Sequence, residues 1–169
     1  RAMVRESERL FLLAAEEPLD SPPHYESDSL AQFLLHLRGR FDQVVVDIPR
    51  FILASHNSVL SGTQELVIAT DLSLVGLRDA NRLKRYFAET VPEVKLTVAA
   101  NMVRSGRAGQ LAVKDFARGL EGDLVHRIPL DEKAAGRSAN SGQPMARGAK
   151  RGKATAAIRR LAAELAAAS

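Results

Sequence analysis

Apolar residues gather in five short runs along the chain: Leu10–Ala15, Val44–Asp47, Leu66–Thr70, Leu96–Ala100 and Leu124–Ile128. Each is brief and stops at polar or turn residues, the pattern of strands covered on both faces in a parallel sheet. Between the runs the period becomes helical. Leu30, Phe33, Leu34 and Leu37 recur at i, i+3, i+4, i+7, with Ser27 or Asp28 available to cap the start and Gly39 just past the end. Leu77, Ala80, Leu83 and Phe87 form a second stripe. Val113, Phe116 and Leu120 form a third, closed by Gly122, and Ile158, Leu161, Ala162 and Leu165 a fourth, capped by Thr155. Strands alternating with helices at this spacing predict βαβ units. The expected fold is a three-layer α/β domain, a mostly parallel sheet flanked by helices.

Two stretches break the alternation. Glu17–Tyr25 holds three prolines and is expected to be a loop. Gly136–Lys153 is rich in Gly, Ser and basic residues, and is expected to be a surface loop behind a short helix. No internal repeat or linker divides the 169 residues, so the pattern predicts one domain over 1–169.

Composition narrows the function. With 46% hydrophobic and 26% charged residues the chain has the make-up of a soluble globular domain. Aromatic residues are only 5% and Trp is absent, which argues against a stacking platform for single-stranded nucleic acid. Without cysteine there are no disulfides or thiolate metal sites, which fits a reducing cytoplasm. No apolar run approaches the roughly 20 residues of a bilayer span, and the start has no signal-peptide pattern. Position 1 is not Met, which points to an engineered or proteolysed start.

Charge is uneven within the net +4. Lys133, Arg137, Arg147, Lys150, Arg151, Lys153, Arg159 and Arg160 fall in one acid-free stretch, while the rest of the chain is net negative. Such a basic segment is either a solvated face or a surface for phosphate backbones or anionic lipid.

Ligands of parallel α/β sheets bind at the carboxyl ends of the strands. That rule selects Asp47, Pro49, Thr70, Asp71, Asn101 and Pro129. The segment FDQVVVDIPR, Phe41–Arg50, is expected to be a strand that delivers a carboxylate and a proline at its end. Asp47 there either holds a magnesium-bound water or caps the next helix, and Pro49 stiffens the start of a loop able to respond to a γ-phosphate. Asn101, in TVAANMVRSG, is expected to end its strand. Its amide can donate to and accept from an adenine edge, or serve a turn. Arg104 and Arg107 can attract phosphate. The segment after Ile128, with Pro129, Leu130 and a helix opened by Asp131, can wall a base pocket. The histidines His24, His36, His56 and His126 show no metal-ligand spacing, and no nucleophile elbow is present. Nor does the sequence contain the phosphate-binding pattern Gly-x-x-x-x-Gly-Lys-Ser/Thr.

In this order FDQVVVDIPR, ELVIATDLSLVGLRDANRL, VAANMVRSG and HRIPLDEKAAGRSANSGQPM resemble the MinD/ParA class of deviant P-loop ATPases, from about Arg9 to Leu165. RLFLLAAEEPLD and TDLSLVGLRDA resemble its CpaE/TadZ branch, which serves tight-adherence pilus assembly. The resemblance implies a P-loop NTPase-like fold whose first strand, Gly-rich loop and first switch would precede Arg1, making 1–169 an N-terminally truncated ATPase domain. It implies Asp47 near magnesium and the γ-phosphate in a switch loop begun by Pro49, and Asn101 on adenine. Pro129 and Leu130 would line the base pocket. ATP and magnesium are implied for the longer protein, with neither tightly bound here. The implied partners are a second copy and pilus or secretion machinery, at a cell pole or the inner face of the membrane. The basic segment leaves a scaffold or partition role, on DNA or an anionic membrane, as the other expectation.

Overall fold

The computed structural model describes residues 3–14, 27–53, 56–104, 106, 109–120 and 125–168. They fall into two compact units, Arg1–Ser61 and Gly62–Ser169.

The first unit opens with a small antiparallel ladder, β1 (Val4–Arg5) against β2 (Phe11–Leu12), in which Val4 faces Leu12 and Arg5 faces Phe11. Ser7 closes the turn. Its hydroxyl accepts from the Leu10 amide at 3.1 Å, and its own amide donates to the Leu10 carbonyl at 3.2 Å. Phe11 packs on Phe41 with ring centroids 5.4 Å apart. Helix α1 (Ser27–Arg38) follows the expected stripe and buries Leu34, ending where Gly39 was read as its stop. The cap expected from Ser27 or Asp28 lies outside the described side chains, and the Pro-rich stretch Glu17–Tyr25 lies outside the described residues. Arg38 reaches across to donate to the Ser61 carbonyl at 2.5 Å.

Phe41–Arg50 corrects the sequence reading. No strand forms there: residues 43–49 have no regular structure, Val45 is 95% exposed, and a single turn, α2 (Arg50–Leu53), begins at Arg50. A strand exists only as half of a ladder, because its amides and carbonyls need an adjacent edge. Among the described residues of this unit the only ladder is β1 with β2. A 3-10 turn, Asn57–Leu60, then buries Val59 and Leu60.

The second unit is built as the alternation predicts. Strands β3 (Glu65–Thr70), β4 (Lys95–Val103) and β5 (Val125–Pro129) form a parallel sheet in chain order. Glu65 to Thr70 pair in step with Lys95 to Ala100. The middle strand is the most enclosed: Val98, Ala99 and Ala100 are at most 2% exposed. Two consecutive alanines there let the layers on both faces approach closely. Helix α3 (Leu74–Thr90) connects β3 to β4 and buries Ala80 and Phe87. Helix α4 (Val113–Gly119) connects β4 to β5 and contributes Phe116, with Leu120 buried just past its end. Gly122, read as its closing residue, lies outside the described residues.

After β5 the chain is more helical than its composition suggested. Helix α5 (Glu132–Ser141) continues through Gly136, which the sequence reading placed in a loop. Asp131 accepts from the Ala134 amide at 3.0 Å to start it, and Gly142 at φ 62° ends it. A turn, α6 (Met145–Gly148), leads to α7 (Lys153–Ala168). Thr155 is not the cap of α7. It lies inside the helix, 1% exposed, and its hydroxyl donates to the Met145 carbonyl at 3.3 Å. Helix α7 buries Ala154 and Leu161, and its Glu164 meets His126 of β5 at 3.3 Å.

Candidate functional site

The carboxyl ends of the three parallel strands carry the polar side chains of interest. At the end of β3 the chain turns directly into α3. The Asp71 carboxylate accepts from the Ser73 amide at 3.2 Å and its hydroxyl at 2.6 Å, and the Ser73 hydroxyl accepts from the Gly76 amide at 2.8 Å. Ser73 is thus a helix cap with Asp71 behind it. Gly76 is required by proximity. A Cβ there would sit 2.6 Å from the Asp71 carbonyl and 2.7 Å from the Thr70 hydroxyl, well inside contact distance. Thr70 and Asp71, selected by the strand-end rule, are engaged in this joint.

The end of β4 differs from expectation. Asn101 does not terminate the strand, which runs on to Val103 across a register shift between Ala100 and Val103. Met102 takes φ 52° within that shift, a left-handed conformation uncommon outside glycine. The Asn101 side-chain oxygen accepts from the Met102 amide at 2.8 Å. Pairing then resumes: Val103 faces Pro129, and the Leu130 amide donates to the Val103 carbonyl at 2.9 Å. Asn101 and Val103 thus lie at the end of β4, next to the end of β5, where Pro129 and Leu130 are half-buried and Asn101 is exposed. Arg104 follows at once and is exposed, with no ion pair among the described residues. Arg107 lies outside the described residues.

Sequence reading missed Gln110. Its side-chain oxygen accepts from the Arg104 amide at 2.9 Å, and its nitrogen donates to the Met102 carbonyl at 3.1 Å. The next amide, Leu111, donates to the Leu72 carbonyl at 2.7 Å, so residues 110–111 join the ends of β3 and β4. An open hollow of about 300 Å³ lies there, lined by Leu72–Val75 and Gly109–Leu111. A side chain bonding to backbone across a loop leaves no periodic trace in sequence. Ser73 before an apolar helical stripe was the readable signal of the neighbouring cap.

Of the predicted site residues, the sheet thus brings together Asn101, Arg104, Pro129 and Leu130. Asp47 and Pro49 belong to the first unit and lie on none of these strands. Both are exposed, and the Pro49 carbonyl accepts from the Ile52 amide at 3.0 Å to open α2. Among the described residues no group of three or more histidine or acidic side chains converges to hold a metal ion.

No protein-family model matches the chain. In sequence it is 26% identical over 149 residues to the septum site-determining protein MinD of Synechocystis, which covers 86% of this chain and 55% of that protein. In structure it superposes on a ParA family ATPase from Chlorobium tepidum with a TM-score of 0.81 and 23% identity, over 92% of this chain and 64% of that one. The fold is that of the MinD and ParA ATPases. The MinD cell division protein of Aquifex aeolicus gives a TM-score of 0.72 at 23% identity, over 96% of this chain and 69% of that one. The same organism's MinD in its complex with MinC gives 0.66 at 22% identity, over 82% and 60%. The chain spans about half the length of the curated MinD that it matches. Within the MinD/ParA fold its described residues include no helix long and apolar enough to cross a membrane.

Proposed function

We propose that this chain is the base-binding part of a MinD/ParA-type ATPase that positions a cellular assembly, of the CpaE/TadZ branch that serves pilus assembly. The observation that supports the reading is the shifted end of β4, where the Asn101 oxygen accepts from the Met102 amide and Val103 pairs with Pro129 on the adjacent parallel strand and bonds Leu130. A side-chain amide at that strand end is suited to an adenine edge, and Arg104 adds a cation just past it. ATP, with magnesium, is the proposed nucleotide. The phosphate grip comes from a Gly-rich loop outside these 169 residues. Asp47 would hold a magnesium-bound water in the longer protein, and Pro49 would start the loop that senses the γ-phosphate. A second copy and the pilus machinery are the proposed partners, at a cell pole or the inner face of the membrane.

Calorimetry of ATP binding, on this chain and on a form extended upstream, tests the proposal. Binding by the extended form alone is the expected result, and Asn101→Ala in that form should weaken ATP about tenfold. Unchanged affinity in that variant would remove the adenine assignment. Asp47→Ala should abolish hydrolysis in the extended form while leaving the fold intact, and normal turnover would exclude its magnesium role.

A second reading has its own support. All eight basic side chains between Lys133 and Arg160 are exposed, on α5, α6, α7 and the segments joining them. In this reading the fold is a non-catalytic scaffold whose basic face docks on DNA or an anionic membrane. Binding to duplex DNA or anionic vesicles that falls steeply as salt rises, without any nucleotide requirement, would favour it.

A further inference from the structure

We infer that Gln110 is a positioning residue for base recognition, setting the orientation of the Asn101 amide; this rests on the adenine reading above. An asparagine amide is ambiguous, since either end can face a ligand, and base selectivity requires that one orientation be fixed. Here the Met102 amide fixes it. By donating to the Asn101 oxygen at 2.8 Å, it determines which end of the side chain is oxygen and which is nitrogen. The oxygen keeps a second lone pair for an adenine amino group, and the nitrogen is left to donate to a ring nitrogen. Guanine presents two acceptors on that edge, so the oxygen would oppose one of them.

The Met102 amide belongs to a strand end whose backbone turns left-handed just beyond it, at φ 52°. That conformation is unfavourable for methionine and persists only where its surroundings hold it. Gln110 supplies such a hold. Its amide spans the register shift, bonding the carbonyl of Met102 at 3.1 Å and the amide of Arg104 at 2.9 Å, much as a neighbouring strand would. Leu111 anchors the same segment to the Leu72 carbonyl at 2.7 Å, so the clasp is tied to the end of β3. The order of influence runs from Gln110 to Met102, then to Asn101, then to the base.

The test is the ratio of ATP to GTP affinity, measured by calorimetry with the full-length protein and its Asn101→Ala and Gln110→Ala variants. Gln110→Ala should reduce the preference for ATP about fivefold, the loss expected from one or two neutral hydrogen bonds, while GTP affinity stays constant. A role confined to stability would lower the unfolding midpoint and leave the ratio alone. If Asn101→Ala abolishes the preference and Gln110→Ala retains it, the positioning role is overturned and the adenine reading survives. If Asn101→Ala changes nothing, the adenine reading falls and takes this inference with it. Should Gln110→Ala fail to fold, Gln110→Glu has nearly the same shape and keeps the acceptor for Arg104 but loses the donor to Met102. It should also lose preference for ATP, and an unchanged ratio in that variant would overturn the proposal.

Discussion

The two compact units treat the same kind of apolar sequence in opposite ways. In Gly62–Ser169 the described residues of the runs at 66–70, 96–100 and 125–128 meet as parallel strands, and Val98, Ala99 and Ala100 lie at most 2% exposed. In Arg1–Ser61 the run Val44–Asp47 has the same character, yet Val45 is 95% exposed and Phe51 73%. Helices do not show this divide. Helix α1 in one unit and α3 in the other each form along their predicted stripes, because a helix satisfies its backbone within itself. A strand depends on company, so the identical local pattern yields order in one unit and an irregular path in the other.

Substitutions at matched aromatic positions test this contrast most strongly. Phe116→Ala, at a side chain fully enclosed in the second unit, should cost about 3–5 kcal/mol in urea unfolding. Phe51→Ala should stay within about 0.5 kcal/mol by the same measurement. Comparable losses at the two sites would show that the first unit buries Phe51 in solution and would break the comparison. A smaller effect is expected where the second unit is tightest. Gly76→Ala must push the start of α3 away from Thr70 and Asp71, and should lower stability by about 1–3 kcal/mol. A neutral result there would mean that the joint has slack. Smaller again is the loss expected from Asp131→Ala, which removes the cap of α5 and should cost about 1 kcal/mol in thermal unfolding.

These contrasts show what could be read from the residues. The strands of the second unit were legible because continuous apolar runs bounded by polar residues have few alternatives inside an alternating α/β chain. Phe41–Arg50 carried the same signal, but a run of valines announces a preference for burial and says nothing of the partner. Helix α5 was hidden by its small and polar residues, Gly136, Ser138, Asn140 and Ser141, whose composition suits a loop; the Asp131 cap and the left-handed Gly142 define it instead. Thr155 looked like a cap from its hydroxyl alone, while its burial and its bond to Met145 put it inside α7. For the candidate site, Asn101 and Pro129 were selected by the rule that ligands sit at strand ends. Gln110 and Gly76 did not, since their roles come from contacts with backbone that no spacing encodes.

The closeness at Gly76 has a mechanical side. With no room for even one methyl group between the first turn of α3 and the tip of β3, helix and strand meet without a compliant joint. The 17 residues of α3 span about 25 Å at 1.5 Å per residue, which makes the helix a stiff lever arm with its fulcrum at Thr70 and Asp71.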